Sequence, residues 1–180
     1  GGHIYPALAV AKRLHAQGCT VIWLGAHTAV EKRILADTPW LYEKVVASPF
    51  RGRGLMAKLW ALLALGVGIG VNIFYFLRWR PACVLTTGGY VGLGAGFAAK
   101  ILGIPLLVSE QNAKAGTVNK LLAPLAKRVF TAYPGVFPGV ENQIIVESGN
   151  PLRQEIEKIT EKKGRRDTQH HSKPFVIVVM

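Results

Sequence analysis

An α/β fold built on a parallel sheet is the architecture this chain predicts, and two observations predict it. Short apolar, β-branched runs alternate with segments of helical periodicity along most of the 180 residues. Three polar motifs, Gly1-Gly2-His3, Gly88-Gly89-Tyr90 and Ser109-Glu110-Gln111-Asn112, each stand where such a run should turn into a helix. In one parallel sheet all three meet at the carboxyl edge, where open α/β sheets bind ligands. A glycine turn feeding a helix offers backbone N–H groups and a positive dipole end, a setting suited to diphosphate.

The elements follow in order. Ala7, Leu8, Val10, Ala11 and Leu14 recur at helical spacing over residues 7–17, and Gly18 supplies the stop. Residues 20–24 are β-branched and aromatic, hence a strand, followed by a short helix over 29–36 and a strand over 42–47. Further along come a strand at 83–87, a helix at 94–102, a strand at 105–108, a helix at 116–126 and strands at 129–132 and 144–147. The all-apolar Leu106-Leu107-Val108 agrees with burial on both faces of the sheet. The expected result is a Rossmann-like parallel sheet flanked by helices.

Half the residues are apolar, which excludes disorder through poor hydrophobicity. Cys19 and Cys83 have no metal-ligand or CxxC spacing around them, so they read as buried thiols of a reducing compartment. The first residue already belongs to a glycine turn, and the chain reads as lacking a strand ahead of Gly1. Residues 155–173 turn polar, with Lys162, Lys163, Arg165 and Arg166 in a run. A solvated linker is favoured there over a nucleic-acid patch, even at a net charge of +12, because no aromatic residues interleave the charges. Phe175-Val176-Ile177-Val178-Val179 then begins a buried strand with no sequence neighbour to pair with. The domain reading is 1–150 for the sheet, 151–174 for an interdomain helix and charged linker, and 175–180 for the first strand of a second domain.

Residues 59–77 hold only one clearly polar side chain, Asn72. About 20 apolar residues at 1.5 Å each can span a bilayer core. A single crossing, however, would separate the strand at 42–47 from that at 83–87, which belong in one sheet. Gly66, Gly68 and Gly70 each weaken a helix by roughly 1 kcal/mol relative to alanine, so two shorter helices with a glycine joint are expected. No Asp or Glu occurs between Lys44 and Ser109, whereas Arg51, Arg53, Lys58, Arg78, Arg80 and Lys100 do. A basic rim around Trp60, Phe74, Phe76 and Trp79 suits shallow docking on an anionic membrane surface.

His3 lies on the first turn, where an imidazole can take a proton from a hydroxyl nucleophile or simply cap or pack against the helix. Tyr90 follows a glycine pair that lets a ligand approach the backbone, or is an aromatic cover over the sheet edge. Glu110 and Asn112 end a buried strand, where a carboxylate must face a cleft or find donors; helix capping is their bland alternative.

Five ordered motifs carry a resemblance: residues 1–7 (Gly-Gly-His-Ile-Tyr-Pro-Ala), Phe50-Arg51-Gly52-Arg53-Gly54, Thr87-Gly88-Gly89-Tyr90, the run from Gly103-Ile104-Pro105 to Glu110-Gln111-Asn112, and Gly149-Asn150-Pro151-Leu152-Arg153. In register from residue 1 to about 153, the chain resembles the peptidoglycan N-acetylglucosaminyltransferases that convert lipid I to lipid II. The resemblance implies the N-terminal, acceptor-binding half of a GT-B glycosyltransferase. That family moves N-acetylglucosamine from UDP-N-acetylglucosamine to the C4 hydroxyl of undecaprenyl-pyrophosphoryl-muramoyl-pentapeptide, with inversion. It implies Gly1, Gly2, Gly88, Gly89 and Tyr90 around the acceptor diphosphate, His3 as the candidate catalytic base, and Glu110 as a catalytic residue that shapes the acceptor site with Tyr90. Asn112 would reach the donor sugar and Arg153 the donor's phosphates. Lys58, Trp60, Phe74, Phe76, Arg78, Trp79 and Arg80 would form a docking patch on the cytoplasmic face of the bacterial inner membrane. No Asp-x-Asp motif occurs, in keeping with a site that uses no metal or other cofactor. The competing class is a non-catalytic membrane-surface module for polyprenyl diphosphates; a nucleic-acid partner is not expected.

Overall fold

The structure, a computed structural model, describes residues 3–45, 54–151 and 174–178. Helix α1 (Ile4–Ala16) leads into β1 (Thr20–Gly25), α2 (Ala29–Leu35) and β2 (Leu41–Lys44). The long α3 (Leu55–Trp79) precedes β3 (Val84–Thr86), α4 (Gly89–Ile101), β4 (Leu106–Glu110) and α5 (Thr117–Leu122). A 3₁₀ turn, Ala123–Leu125, follows α5; β5 (Arg128–Thr131), a second 3₁₀ turn (Asn142–Ile144), β6 (Ile145–Glu147) and β7 (Pro174–Val178) complete the described elements. Every strand pairing is parallel, in the order β2-β1-β7-β3-β4-β5-β6.

Alternation within the strands divides the core between two faces. Val21 and Trp23 of β1 and Leu85 of β3 pack with Ile4, Ala7 and Ala11 of α1 and with Leu35 after α2 begins to close. Ile22 and Leu24 of β1, with Val84 of β3, turn the other way and pack with residues of α3, α4 and α5. Helices thus cover both faces, as the alternating pattern requires.

Strand β7 sits between β1 and β3, with Ile22 and Val84 both opposite Val176. The sequence offers this strand no neighbour, yet the two facing edges leave a seat one strand wide. Filling it satisfies the backbone groups of three strands together.

The expected glycine joint in α3 is absent: one helix runs from Leu55 to Trp79. Tertiary packing outweighs the propensity cost. A Cβ on Gly94 of α4 would lie 3.5 Å from the Gly68 backbone, so the two helices touch through glycines. Buried Asn72 donates from Nδ2 to the Gly68 carbonyl at 2.7 Å, bracing the same turn. The helix stops at Arg80, which adopts a left-handed conformation (φ 47°) and donates its N–H to Phe76 O at 2.8 Å. Both cysteines are free and half-buried rather than fully enclosed. Burial, then the neighbouring Cys19, pushes the Cys83 thiol up to about 12.

Candidate active site

Gly1 and Gly2 lie outside the described residues, but His3, which follows them, is joined to the second glycine turn: its carbonyl accepts a 3.0 Å hydrogen bond from Thr87 Oγ1. Thr87 directly precedes Gly88 and Gly89, which take φ of 110° and 76°, values that glycine alone adopts without strain. The Gly88 N–H donates to Thr86 Oγ1 at 3.1 Å. Helix α4 begins at Gly89, five residues earlier than periodicity indicates, so Gly89 and Tyr90 supply amides of its unsatisfied first turn. Tyr90 is half-buried against the core beneath that turn.

The His3 imidazole makes no capping hydrogen bond to α1. Its Nδ1 is buried without a hydrogen-bond partner. Side-chain capping is thereby removed for His3, while packing and proton transfer are both compatible with this geometry.

Glu110 behaves differently from a residue poised for chemistry. Only 1 % exposed, its carboxylate accepts four hydrogen bonds. Oε1 takes the Asn112 N–H at 3.0 Å and Asn112 Nδ2 at 2.8 Å, while Oε2 takes the Gly116 N–H and Asn119 Nδ2, both at 2.9 Å. Burial alone would raise its pKa. The bonds from Gly116, Asn112 and Asn119 outweigh burial and hold the carboxyl below the usual range. With its oxygens engaged in this way, Glu110 braces the turn that runs from Asn112 to Gly116. Asn112 itself is exposed at the sheet edge, pinned through its N–H and Nδ2. Arg153 lies outside the described residues.

Sequence reasoning passed over Thr87 and Asn119. Asn119 is buried on α5, and its polarity interrupts an apolar stripe of Ala115, Leu122 and Ala126, the one signal that could have marked it. It also passed over Glu31, buried after β1, whose Oε2 accepts from Thr28 N at 2.8 Å and from the Tyr42 hydroxyl at 3.1 Å. Thr28 and Glu31 form a capping box that fixes the loop leaving β1.

Residues 1–131 match the family model described as the glycosyltransferase family 28 N-terminal domain. The chain belongs to this family. It is 42 % identical over 165 residues to a Nitrosococcus oceani protein named as a UDP-N-acetylglucosamine–N-acetylmuramyl-(pentapeptide) pyrophosphoryl-undecaprenol N-acetylglucosamine transferase; the match covers 92 % of this chain and 45 % of that protein. An Acinetobacter baumannii protein of the same name is 40 % identical over 181 residues, covering all of this chain and 49 % of the relative. The crystal structure of Acinetobacter baumannii MurG superposes with a TM-score of 0.69 at 41 % identity, over 78 % of this chain and 41 % of that one. The chain spans about half the length of the relatives it matches. Its fold is that of the N-terminal half of a GT-B glycosyltransferase.

In this family 28 domain, α3 and α4 both run from the carboxyl edge of the sheet to its amino edge. Their contact falls thirteen residues into α3 but five into α4, so α3 overhangs the start of α4 by roughly 12 Å at 1.5 Å per residue. Met56, Leu59, Trp60, Leu62 and Leu63 are exposed on that overhang, beside the glycine turn. Leu59–Trp79 is long and apolar enough to cross a membrane, and its ends lead into two strands of one sheet. Trp60, Phe74, Arg78 and Arg80 face outward, and Trp79 is half-buried, stacked on Tyr75 at 4.6 Å. Phe76 is the exception: 1 % exposed, it packs into the core, because it falls on the same side of the helix as Asn72 and Ile69. The Lys58 side chain lies outside the description.

Proposed function

We propose that this chain is the acceptor-binding half of an inverting transferase that moves N-acetylglucosamine from UDP-N-acetylglucosamine to the C4 hydroxyl of undecaprenyl-pyrophosphoryl-muramoyl-pentapeptide. The observation that supports the proposal is the Thr87–His3 hydrogen bond, which ties the residue after the first glycine pair to the turn of the second. Gly1 and Gly2 with Gly88, Gly89 and the first amides of α4 cradle the acceptor diphosphate. Tyr90 lines the acceptor side. His3 takes the proton from the acceptor hydroxyl as that oxygen attacks the anomeric carbon, and UDP departs with its charge met by helix N-termini and fixed donors. Asn112 reaches the donor sugar and Arg153 the donor's phosphates.

Residues 1–150 form the acceptor domain on this reading, 151–174 the connection, and 175–180 the start of the donor-binding domain. That last assignment applies to a longer protein in which another strand takes the seat of β7. The outward face of α3, with Trp60 and Phe74 between basic ends, docks peripherally on the anionic cytoplasmic face of the inner membrane. Its overhang would hold the diphosphate cradle beside the polyprenyl chain.

The test joins this chain to the second half of the Acinetobacter baumannii relative and measures transfer of labelled N-acetylglucosamine from UDP onto lipid I. Transfer is expected, and His3→Ala lowers turnover at least about tenfold. An unchanged rate in that variant would remove His3 from the mechanism.

A further inference from the structure

Asn119 is the side chain that joins the diphosphate turn to the turn carrying Asn112. Only 1 % exposed, it directs Nδ2 toward three acceptors: Glu110 Oε2 at 2.9 Å, the Ser109 carbonyl at 3.3 Å and the Thr87 carbonyl at 3.5 Å. Two N–H bonds on one nitrogen span the end of β3 and the end of β4. The other side of the amide faces Gly88: a Cβ built there would lie 3.3 Å from both Asn119 Oδ1 and Nδ2. Oδ1 is buried and has no hydrogen-bond partner. Such a buried orphan costs stability, which a residue kept only for packing would not incur.

We propose that Asn119 is a positioning residue that fixes the Gly88-Gly89 cradle and the Glu110–Asn112 turn in one register, so that acceptor diphosphate and donor sugar are held relative to each other. This rests on the diphosphate reading of the glycine turns. The amide does two tasks that no other residue type combines. Its donors bridge a carbonyl and a carboxylate, and its flat, short stem lets Gly88 keep a left-handed conformation against it. Aspartate would set a second carboxylate against Glu110, and leucine would leave Glu110 Oε2 and the Thr87 carbonyl without this donor.

The test compares Asn119→Ser with Leu122→Ala in this chain. Leu122 is buried on the same helix, against Gly96, and touches neither turn through a hydrogen bond, so it reports on plain loosening of α5. In the ligand-free protein, Asn119→Ser is expected to shift the backbone amide resonances of Gly88, Gly89, Asn112 and Gly116 together. It should also move the Glu110 carboxyl titration upward, because one of its four donors is weakened. Leu122→Ala should do neither. Affinity for farnesyl diphosphate should fall about fivefold in Asn119→Ser, as the loss of one hydrogen bond implies, and stay unchanged in Leu122→Ala. If the two turns do not respond together, or if both variants respond alike, the positioning role is wrong. Should the unmodified chain bind no farnesyl diphosphate, the diphosphate reading fails, while the amide and titration readouts still decide the role of Asn119. If Asn119→Ser does not fold, Asn119→Gln keeps the donors on a longer stem, and the same shifts decide.

Discussion

Four donors converge on the Glu110 carboxylate and none reaches His3 Nδ1, and this contrast sorts the two residues by chemistry. A carboxylate so fully engaged is held ionised and still. Its lowered pKa has a sign that can be followed: a folded-state value below the unfolded one adds stability above the ordinary glutamate range and loses it as pH falls through the folded value. The melting temperature should therefore drop on acidification below the ordinary glutamate range. Glu110→Gln should flatten that dependence and cost about 1–3 kcal/mol at neutral pH, because the amide cannot accept four bonds. A Glu110→Gln protein with unchanged stability and the same acid profile would contradict the assignment. The motif Ser109-Glu110-Gln111-Asn112 was legible as a sheet-edge feature. That its carboxylate faces inward was not, because all four donors come from Asn112, Gly116 and Asn119, whose approach depends on the path of the chain after β4.

Helix α3 shows how an element can serve two environments. Its inner side carries Asn72, Phe76 and Gly68, and the glycine contact with α4 lets the axes approach closely. Its outer side carries Trp60 at 72 % exposure and Phe74 at 62 %. Hydropathy alone made these sides indistinguishable, since the helix is apolar nearly all round; helical geometry sets Phe74 and Phe76 on opposite sides, and only the packing shows that Phe76 is the inner one. The two positions should separate cleanly on substitution. Trp60→Ser with Phe74→Ser should weaken binding to anionic phospholipid vesicles at least about tenfold in a flotation assay and leave the melting temperature within a few degrees. Phe76→Ser should instead destabilise the fold by about 3 kcal/mol or more. Loss of stability in the first variant, or full vesicle binding by it, would overturn the docking face.

At the scale of the molecule, β1, β3 and β4 were readable because each is a short, largely apolar run buried on both sides, and the alternation of strands with helices dictates a parallel sheet. The seat of β7 was not readable, since pairing of residue 176 with residues 22 and 84 is a matter of topology and not of neighbouring sequence. The joining of His3 to the Gly88-Gly89 turn follows from the same sheet: His3 and Thr87 are 84 residues apart and meet only because both lie at its carboxyl edge. The proposed diphosphate cradle depends on that contact. Its most direct test is to titrate farnesyl diphosphate into the labelled chain and follow the amide resonances of His3, Gly88, Gly89 and Tyr90. The account predicts that all four move together with one binding constant; movement of one turn without the other, or of neither, would contradict it.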